Sequence, residues 1–333
     1  MTEIRKGLVW GTLLYTFGLL GLALLWRLNI DVWWVALPNI VAPSLFLPLV
    51  LLVPLAFWVR LETYSRLYLF CVGVLVLVFG FSFGGRFLPR SPVTGAEGGT
   101  ELRIMTLNHL YLNRDLEAIK KTILRQDADL VALQELTPEV AAMVRLEFET
   151  RYPYQQLQPL DRSSTKGVGL LSRFPLENVG YDDDYGGQHV TLQIGERYLK
   201  LINLHLMIPF GGRDSGRALA FDPGTRTRQL EKLKLAVEAV PESDGLIVVG
   251  DFNLSDQEPG YRELANLMTD AYRSTRRGFG FTFPTGRAYA GVPLPLLARL
   301  DYVWLKGLEP LAAHRDCRSG SDHCAVIADM RLP

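Results

Sequence analysis

The chain has 333 residues, 35 Lys plus Arg against 35 Asp plus Glu, and a hydrophobic share of 48%, an ordinary globular balance until the apolar residues are located. From residue 101 onward the charge is 28 basic minus 31 acidic residues, or −3, which excludes a global basic field that would draw the domain to polyanions. Three cysteines are too few to imply a disulfide framework, and no CxxC or HExxH pattern marks a zinc site.

The apolar residues are concentrated at the front. Residues 8–26 carry no charge and match the roughly 20 residues that a helix needs to cross about 30 Å of hydrocarbon. Residues 32–59 are also uncharged, and Pro38, Pro43, Pro48 and Pro54 predict a kinked or partly re-entrant course. Residues 67–83 form a third uncharged run, near the short end of the spanning range. A buried core helix, or a signal peptide for the first run, would explain any one of them. Together, with aromatic residues and Arg at their ends and no A-x-A cleavage site, they predict a multi-pass membrane region over residues 1–86 with three helices, and a lipid bilayer as partner. Arg5, Lys6, Arg60 and Arg66 on one side, against Arg27, Arg86 and Arg90 on the other, lean toward a cytoplasmic N-terminus. Three spans then place the rest of the chain outside the cytoplasm, and two spans would reverse that. Residues 87–100, rich in Gly, Pro, Ser and Thr, read as a linker.

Strand-like and helix-like runs alternate from residue 101. Residues 103–107 read as a strand, followed by Leu116, Ile119 and Ile123 at helical spacing behind an Asn113 cap. Residues 129–133 form the next strand, and Thr137 and Pro138 suit the cap and first turn of a helix to Phe148. Residues 167–172, 189–194 and 198–206 read as strands, the last two joined by a turn at Gly195 and Glu196. A helix over about 225–240 precedes a buried strand at 246–249, another helix follows Pro259, and strands at 300–305 and 324–332 close the chain. Short hairpins mixed with crossover helices predict an α/β fold with mixed rather than purely parallel sheets.

Polar side chains recur where these strands end. Asn108 ends the first, Glu135 follows the second, His205 ends another, Asp251 and Asn253 follow residues 246–249, Asp301 opens the strand after Arg299, and Asp322 and His323 precede the last. Asp251 and Asn253 are two residues apart, where side chains of an extended chain point the same way. Each has an ordinary explanation alone: Asn108, Asp251 and Asn253 as turn residues, Glu135 at a helix N-terminus, His205 as a hydrogen-bonded core histidine, Asp301 paired with Arg299. Buried carboxylates each cost several kcal/mol unless paired, so their repetition calls for a shared cation. Asn, Asp and Glu are hard oxygen donors of the kind Mg²⁺ and Mn²⁺ prefer, and the two histidines add groups that move protons near neutral pH. The set suits metal-assisted hydrolysis of a phosphate ester.

The ordered stretches RIMTLN, LVALQE, GLLSRFP, LINLHL, VVGDFN, RLDYV and SGSDHCAV resemble the endonuclease/exonuclease/phosphatase superfamily across residues 101–333. The resemblance implies a four-layer α/β sandwich of two mixed sheets flanked by helices, with the active site where the sheets open. It implies that Asn108, Glu135 and Asp322 surround the metal, and that Asp251 activates water or helps hold the ion. It further implies that Asn253 binds phosphate, His205 contacts phosphate and assists the leaving group, and His323 stabilises the transition state with its tautomer fixed by Asp301. Ser172 and Arg173 match a family strand near the site, in either a structural or a substrate-contacting role.

The substrate is less legible. Residues 207–224 mix Arg213 and Arg217 with apolar residues, and residues 278–298 are rich in Phe, Gly, Pro and Leu. Exposed, such loops would suit a lipid headgroup; packed on the sandwich edge, they would say nothing of substrate. A phosphodiester of nucleic acid or phospholipid leads, ahead of a soluble phosphomonoester and of an inactive tethered binding module. The sequence points to no protein partner.

Overall fold

The structure is a computed structural model that describes residues 2–30, 32–59, 65–88, 98–161, 165–212, 217–286, 288–289 and 292–332. The chain divides into two compact units, Met1–Pro89 and Arg90–Pro333. Most of the expected linker, residues 89–97, lies outside the described residues.

The first unit contains α1 (Thr2–Arg27), α2 (Trp33–Ile40), α3 (Leu49–Val59) and α4 (Ser65–Phe83). Two helices, Glu3–Arg27 and Arg66–Arg86, are long and apolar enough to cross a membrane. Trp33–Ile40 and Ala42–Ala56 reach that length only as a pair, and they are bent by 81° at the break. A proline there removes a backbone donor and clashes with the preceding turn, so Pro38 and Pro43 account for the bend that the sequence predicts. The described residues thus hold two such helices, or three if the bent pair is one span. Side-chain hydroxyls in this apolar unit are spent on backbone carbonyls: Thr12 on Leu8 at 2.8 Å and Tyr68 on Leu52 at 2.6 Å.

The second unit is built on two six-stranded sheets. Its elements begin with β1 (Thr100–Asn108), α5 (Leu116–Gln126), β2 (Leu130–Gln134), α6 (Pro138–Phe148), β3 (Tyr154–Gln158) and β4 (Val168–Ser172). Next come β5 (Leu176–Asp182), β6 (Gly187–Ile194), β7 (Arg197–His205), a small hairpin of β8 (Phe210–Gly212) and β9 (Arg217–Phe221), and α7 (Gly224–Glu238). The chain closes with β10 (Leu246–Asp251), α8 (Pro259–Ala265), β11 (Thr269–Asp270), α9 (Ala271–Thr275), a second small hairpin of β12 (Ala288–Tyr289) and β13 (Val292–Pro293), β14 (Asp301–Lys306), β15 (Glu309–Asp316) and β16 (Ala325–Leu332). One sheet runs β15-β16-β1-β2-β4-β3 and the other β11-β14-β10-β7-β6-β5. The pairs β1–β2 and β7–β10 are parallel and the rest antiparallel, so both sheets are mixed.

Alternation along the strands sorts the core into layers. Ile104, Leu130, Leu201, Ile247, Val303 and Val326 pack between the sheets. Their neighbours Met105, Val131 and Ile327 face α5 and α6, whereas Ile202, Val248 and Trp304 face α7 and α8. The result is the four-layer sandwich.

Two local readings are corrected. Asn113 does not cap α5: Asp115 does, accepting from the Ala118 amide at 2.9 Å, while Asn113 is buried with its amide donating to the Ser319 carbonyl. The two late cysteines, too few to suggest a framework, form a disulfide, Cys317–Cys324.

Gly250 has a role that no other residue fills. Its φ is +138°, and a Cβ there would lie 1.9 Å from the Leu204 carbonyl oxygen on the paired strand β7. Gly250→Ala is therefore expected to destabilise the fold by roughly 2–4 kcal/mol, read from the guanidinium unfolding midpoint. An unchanged midpoint would contradict this account of β10.

Candidate active site

The apolar inner faces turn polar at one end. Along β1 the inward series is Ile104, Thr106, Asn108; along β7 it is Leu201, Asn203, His205; along β10 it is Ile247, Val249, Asp251; along β14 it is Leu305, Val303, Asp301. Register aligns three of these ends, since Asp251 pairs with His205 on β7 and with Asp301 on β14.

One layer below the site, the two sheets are joined by hydrogen bonds. Gln134 of β2 donates to Asn203 of β7 at 2.6 Å and to Thr106 of β1 at 3.0 Å, and Asn203 donates to the Leu133 and Gly169 carbonyls. All three side chains are fully buried, so these bonds offset their desolvation and fix how the sheets meet.

Above that layer Asp251 is the hub. Its Oδ2 accepts from Asn108 Nδ2 at 3.0 Å and lies 3.5 Å from His205 Nε2 and 3.7 Å from His323 Nε2. Its Oδ1 accepts from the Asn253 amide at 2.8 Å, closing the turn in which Asn253 sits at φ +45°. Asn108 Nδ2 also donates to Glu135 Oε1 at 3.0 Å, so one amide clasps two carboxylates. Its oxygen faces the other way and accepts from Leu110. Glu135 Oε2 accepts from the Tyr111 amide at 2.8 Å, and the residue itself takes a left-handed φ of +57°. A non-glycine residue held there costs of order 1–3 kcal/mol and is typical of functional sites.

The two histidines are oriented differently. His205 Nδ1 must donate to the Thr165 carbonyl at 2.8 Å, which turns Nε2 toward Asn253 at 3.2 Å and toward Asp251. Asn253 also donates to the Leu206 carbonyl at 2.9 Å. His323 Nδ1 donates to Asp301 Oδ2 at 2.9 Å, and the Phe283 ring packs 4.8 Å from the imidazole. Burial alone would favour a neutral ring, but Asp301 and Asp251 outweigh it and lift His323 to about 10. Burial also holds Asp301 above the ordinary carboxylate range, against the pull of His323. The proton belongs to the imidazole.

Asp322 comes from the turn between β15 and β16. Ser321 Oγ in that turn donates to the Asn108 carbonyl at 2.7 Å and lies 3.4 Å from Asp322 Oδ1, which sets the turn against the end of β1. Two matched residues lie elsewhere: Ser172 bonds the Phe174 backbone, and Arg173 pairs with Asp127 and Asp129. Arg299 pairs with Asp270 and Asp256 rather than with Asp301.

The structure adds Arg226, which periodicity within α7 does not single out. Buried in the first turn of that helix, it donates to the Asn253 carbonyl and to Glu258, while Glu258 accepts from the Ser255 amide at 2.6 Å. A buried ion pair thus pins the turn after Asp251 from behind. Three residues along α7, Gln229 accepts from the Met207 amide at 2.8 Å and pins the chain after His205.

Among the described residues, donor atoms of Asp251, Asp301 and His323 lie within 4.8 Å of one another and could hold a metal ion. Glu135 approaches Asp251 through their shared Asn108 donor. Closely spaced carboxylate oxygens fit a hard divalent cation.

The family model described as "Endonuclease/Exonuclease/phosphatase family" matches residues 105–323. No curated protein matches the chain in sequence. A crystal structure of D. rerio TDP2 with a single-strand DNA product is similar at a TM-score of 0.53 and 17% identity, over 70% of this chain and 99% of that one. The endonuclease/exonuclease/phosphatase from Bacteroides vulgatus is similar at 0.55 and 17%, over 70% of this chain and 100% of that one. The corresponding protein from Beutenbergia cavernae DSM 12333 gives 0.52 and 19%, over 70% and 72%. These likenesses establish the fold, and the family match spans most of the chain. The chain belongs to the endonuclease/exonuclease/phosphatase family, whose members are generally hydrolases acting on phosphate esters.

Proposed function

We propose that the chain is a membrane-anchored, divalent-metal-dependent phosphodiesterase. The observation that carries this reading is the convergence of Asn108, Glu135, His205, Asp251, Asn253, Asp301 and His323 from both sheets at one end of their interface. Glu135 and Asp251, clasped by Asn108 and joined by Asp322 from the neighbouring turn, would hold Mg²⁺ or Mn²⁺. We assign the ion to this side rather than to Asp301 and His323, because a cation would compete there with the imidazole proton. When bound, the ion would neutralise phosphate oxygens and favour attack by water. His323, held by Asp301, presents Nε2 to charge developing on phosphorus oxygens. Asp251 orients the attacking water, and His205 and Asn253 contact the phosphate beside the leaving oxygen.

Anchoring is supported by the two long apolar helices and by outward-facing Leu14, Phe17, Phe70 and Phe81. The disulfide supports a catalytic domain outside the cytoplasm, as does the distribution of Lys and Arg when the bent helix pair counts as one span. A reporter fused at the C-terminus and active only outside the cytoplasm is the expected result; cytoplasmic activity would overturn the orientation.

Two diester classes have support. The likeness to D. rerio TDP2 in complex with single-strand DNA product favours nucleic acid. Exposed Met207 and Ile208 just after His205, on a chain with apolar helices, favour a phospholipid. Most of the residue 210–221 hairpin's side chains, including Arg213 and Arg217, lie outside the described residues. Purified protein with Mg²⁺ should hydrolyse bis-p-nitrophenyl phosphate and one class of a panel of single-stranded DNA and phospholipid vesicles. Strand cleavage that falls steeply with salt identifies nucleic acid, headgroup release identifies lipid, and phosphate release from monoesters alone overturns the diester reading.

A further inference from the structure

We propose that the Cys317–Cys324 disulfide is a positioning element of this active site, so that full activity belongs to the oxidised chain. The proposal rests on the reading of Asp322 and His323 given above. Strands β15 and β16 pair as far as Asp316 and Ala325, and the two cysteines are the next residue out on each strand, with Cα atoms 4.1 Å apart. They close a turn of residues 318–323 that carries both Asp322 and His323, the latter one residue from the cross-link.

The turn is held by hydrogen bonds. Arg318 donates to Asp316 through its backbone amide at 3.1 Å and its guanidinium at 2.8 Å, Gly320 takes a φ of +76°, and the Ser321 and His323 amides donate to Ser319 Oγ at 3.3 Å and to Ser321 Oγ at 3.0 Å. Its outer anchors are Asn113 on the Ser319 carbonyl, Ser321 on the Asn108 carbonyl, Thr285 on the Ser321 and Asp322 carbonyls, and the Cys324 amide on the Thr282 carbonyl. The disulfide ties the two ends together one residue beyond the last strand pair, and so limits the angle at which His323 leaves the turn. That angle has little tolerance. His323 must keep Nδ1 2.9 Å from Asp301 and Nε2 3.7 Å from Asp251, and an error of about 1 Å in such a group can cost about a hundredfold in rate. Because the flanking strands are already paired, breaking the cross-link should act on the turn more than on the fold.

The test compares the full-length chain in detergent, with Mg²⁺ and bis-p-nitrophenyl phosphate, before and after reduction by a phosphine. In that step the S–S bond gives two thiols while the phosphine and one water become phosphine oxide. Reduction should lower kcat by about ten- to a hundredfold and leave KM close to its oxidised value. Hydrogen exchange should quicken in the peptide covering residues 317–324 but not in the interiors of β15 and β16. The C317S/C324S variant should reproduce the lowered kcat and be insensitive to phosphine, which separates this pair from Cys71. Where that variant does not fold, reduction of the native chain gives the same comparison. Equal kcat in both states, or unchanged exchange in the turn, overturns the proposal. If the oxidised chain cleaves no diester, the functional reading fails instead, and the exchange comparison decides the positioning claim.

Discussion

Asp251→Asn is expected to lower diester turnover by at least about a hundredfold while leaving the thermal midpoint near that of the native chain. The substitution keeps the shape of the side chain but removes its charge at the point where Asn108, His205 and His323 all face one oxygen. It also sets a neutral amide against the Asn108 donor, so the clasp on Glu135 loses one of its two carboxylates. Asn253 need not be released, because an amide oxygen still accepts from its backbone N–H. A single-turnover measurement on bis-p-nitrophenyl phosphate separates chemistry from binding. A native rate in this variant would remove Asp251 from the mechanism.

His323→Ala is expected to cost a comparable factor, about a hundredfold or more, chiefly in kcat. The ring is lifted from 6.5 to about 10, which keeps it positively charged across the neutral range. A charged donor suits the stabilisation of developing negative charge, and does not suit removal of a proton from water. The same proton links stability to pH. Because the folded-state value lies above the ordinary one, the imidazolium's contribution is complete below about pH 6.5 and is lost as pH rises toward 10. In EDTA buffer the native chain should therefore lose stability over that interval, and His323→Ala should remove this part of the slope. Parallel pH profiles for the two proteins would contradict the assignment of the proton to His323.

Much of this site was legible because the strands alternate. Ile247, Val249 and Asp251 lie two apart, as do Thr106 and Asn108 or Asn203 and His205, so a buried apolar face could be followed to its polar end. The strands that the sequence does not mark include β3 and β15 at the edges of one sheet and β5 and β11 at the edges of the other. An edge strand is covered on fewer sides, and YQQLQ in β3 or LENVGYD in β5 accordingly lacks an apolar run. Arg226 was invisible for a different reason. Its partners, the Asn253 carbonyl and Glu258, lie about thirty residues away, and one of them is backbone. Counting cysteines does not find the pair, since two cysteines at the mouth of a hairpin are brought together by strand register rather than by any framework. Asn108 shows the limit of residue type: an amide offers both an oxygen and a donor, and here the donor faces the carboxylates.

The most direct test is metal dependence of diester cleavage by the purified full-length chain. Treatment with EDTA should abolish hydrolysis of bis-p-nitrophenyl phosphate, and Mg²⁺ or Mn²⁺ added in excess of the chelator should restore it. Restoration should be absent when Glu135 and Asp251 are both replaced by their amides. Hydrolysis that proceeds unchanged in chelator, or that survives loss of both carboxylates, would contradict the claim that these converging groups hold a divalent cation for attack on phosphorus.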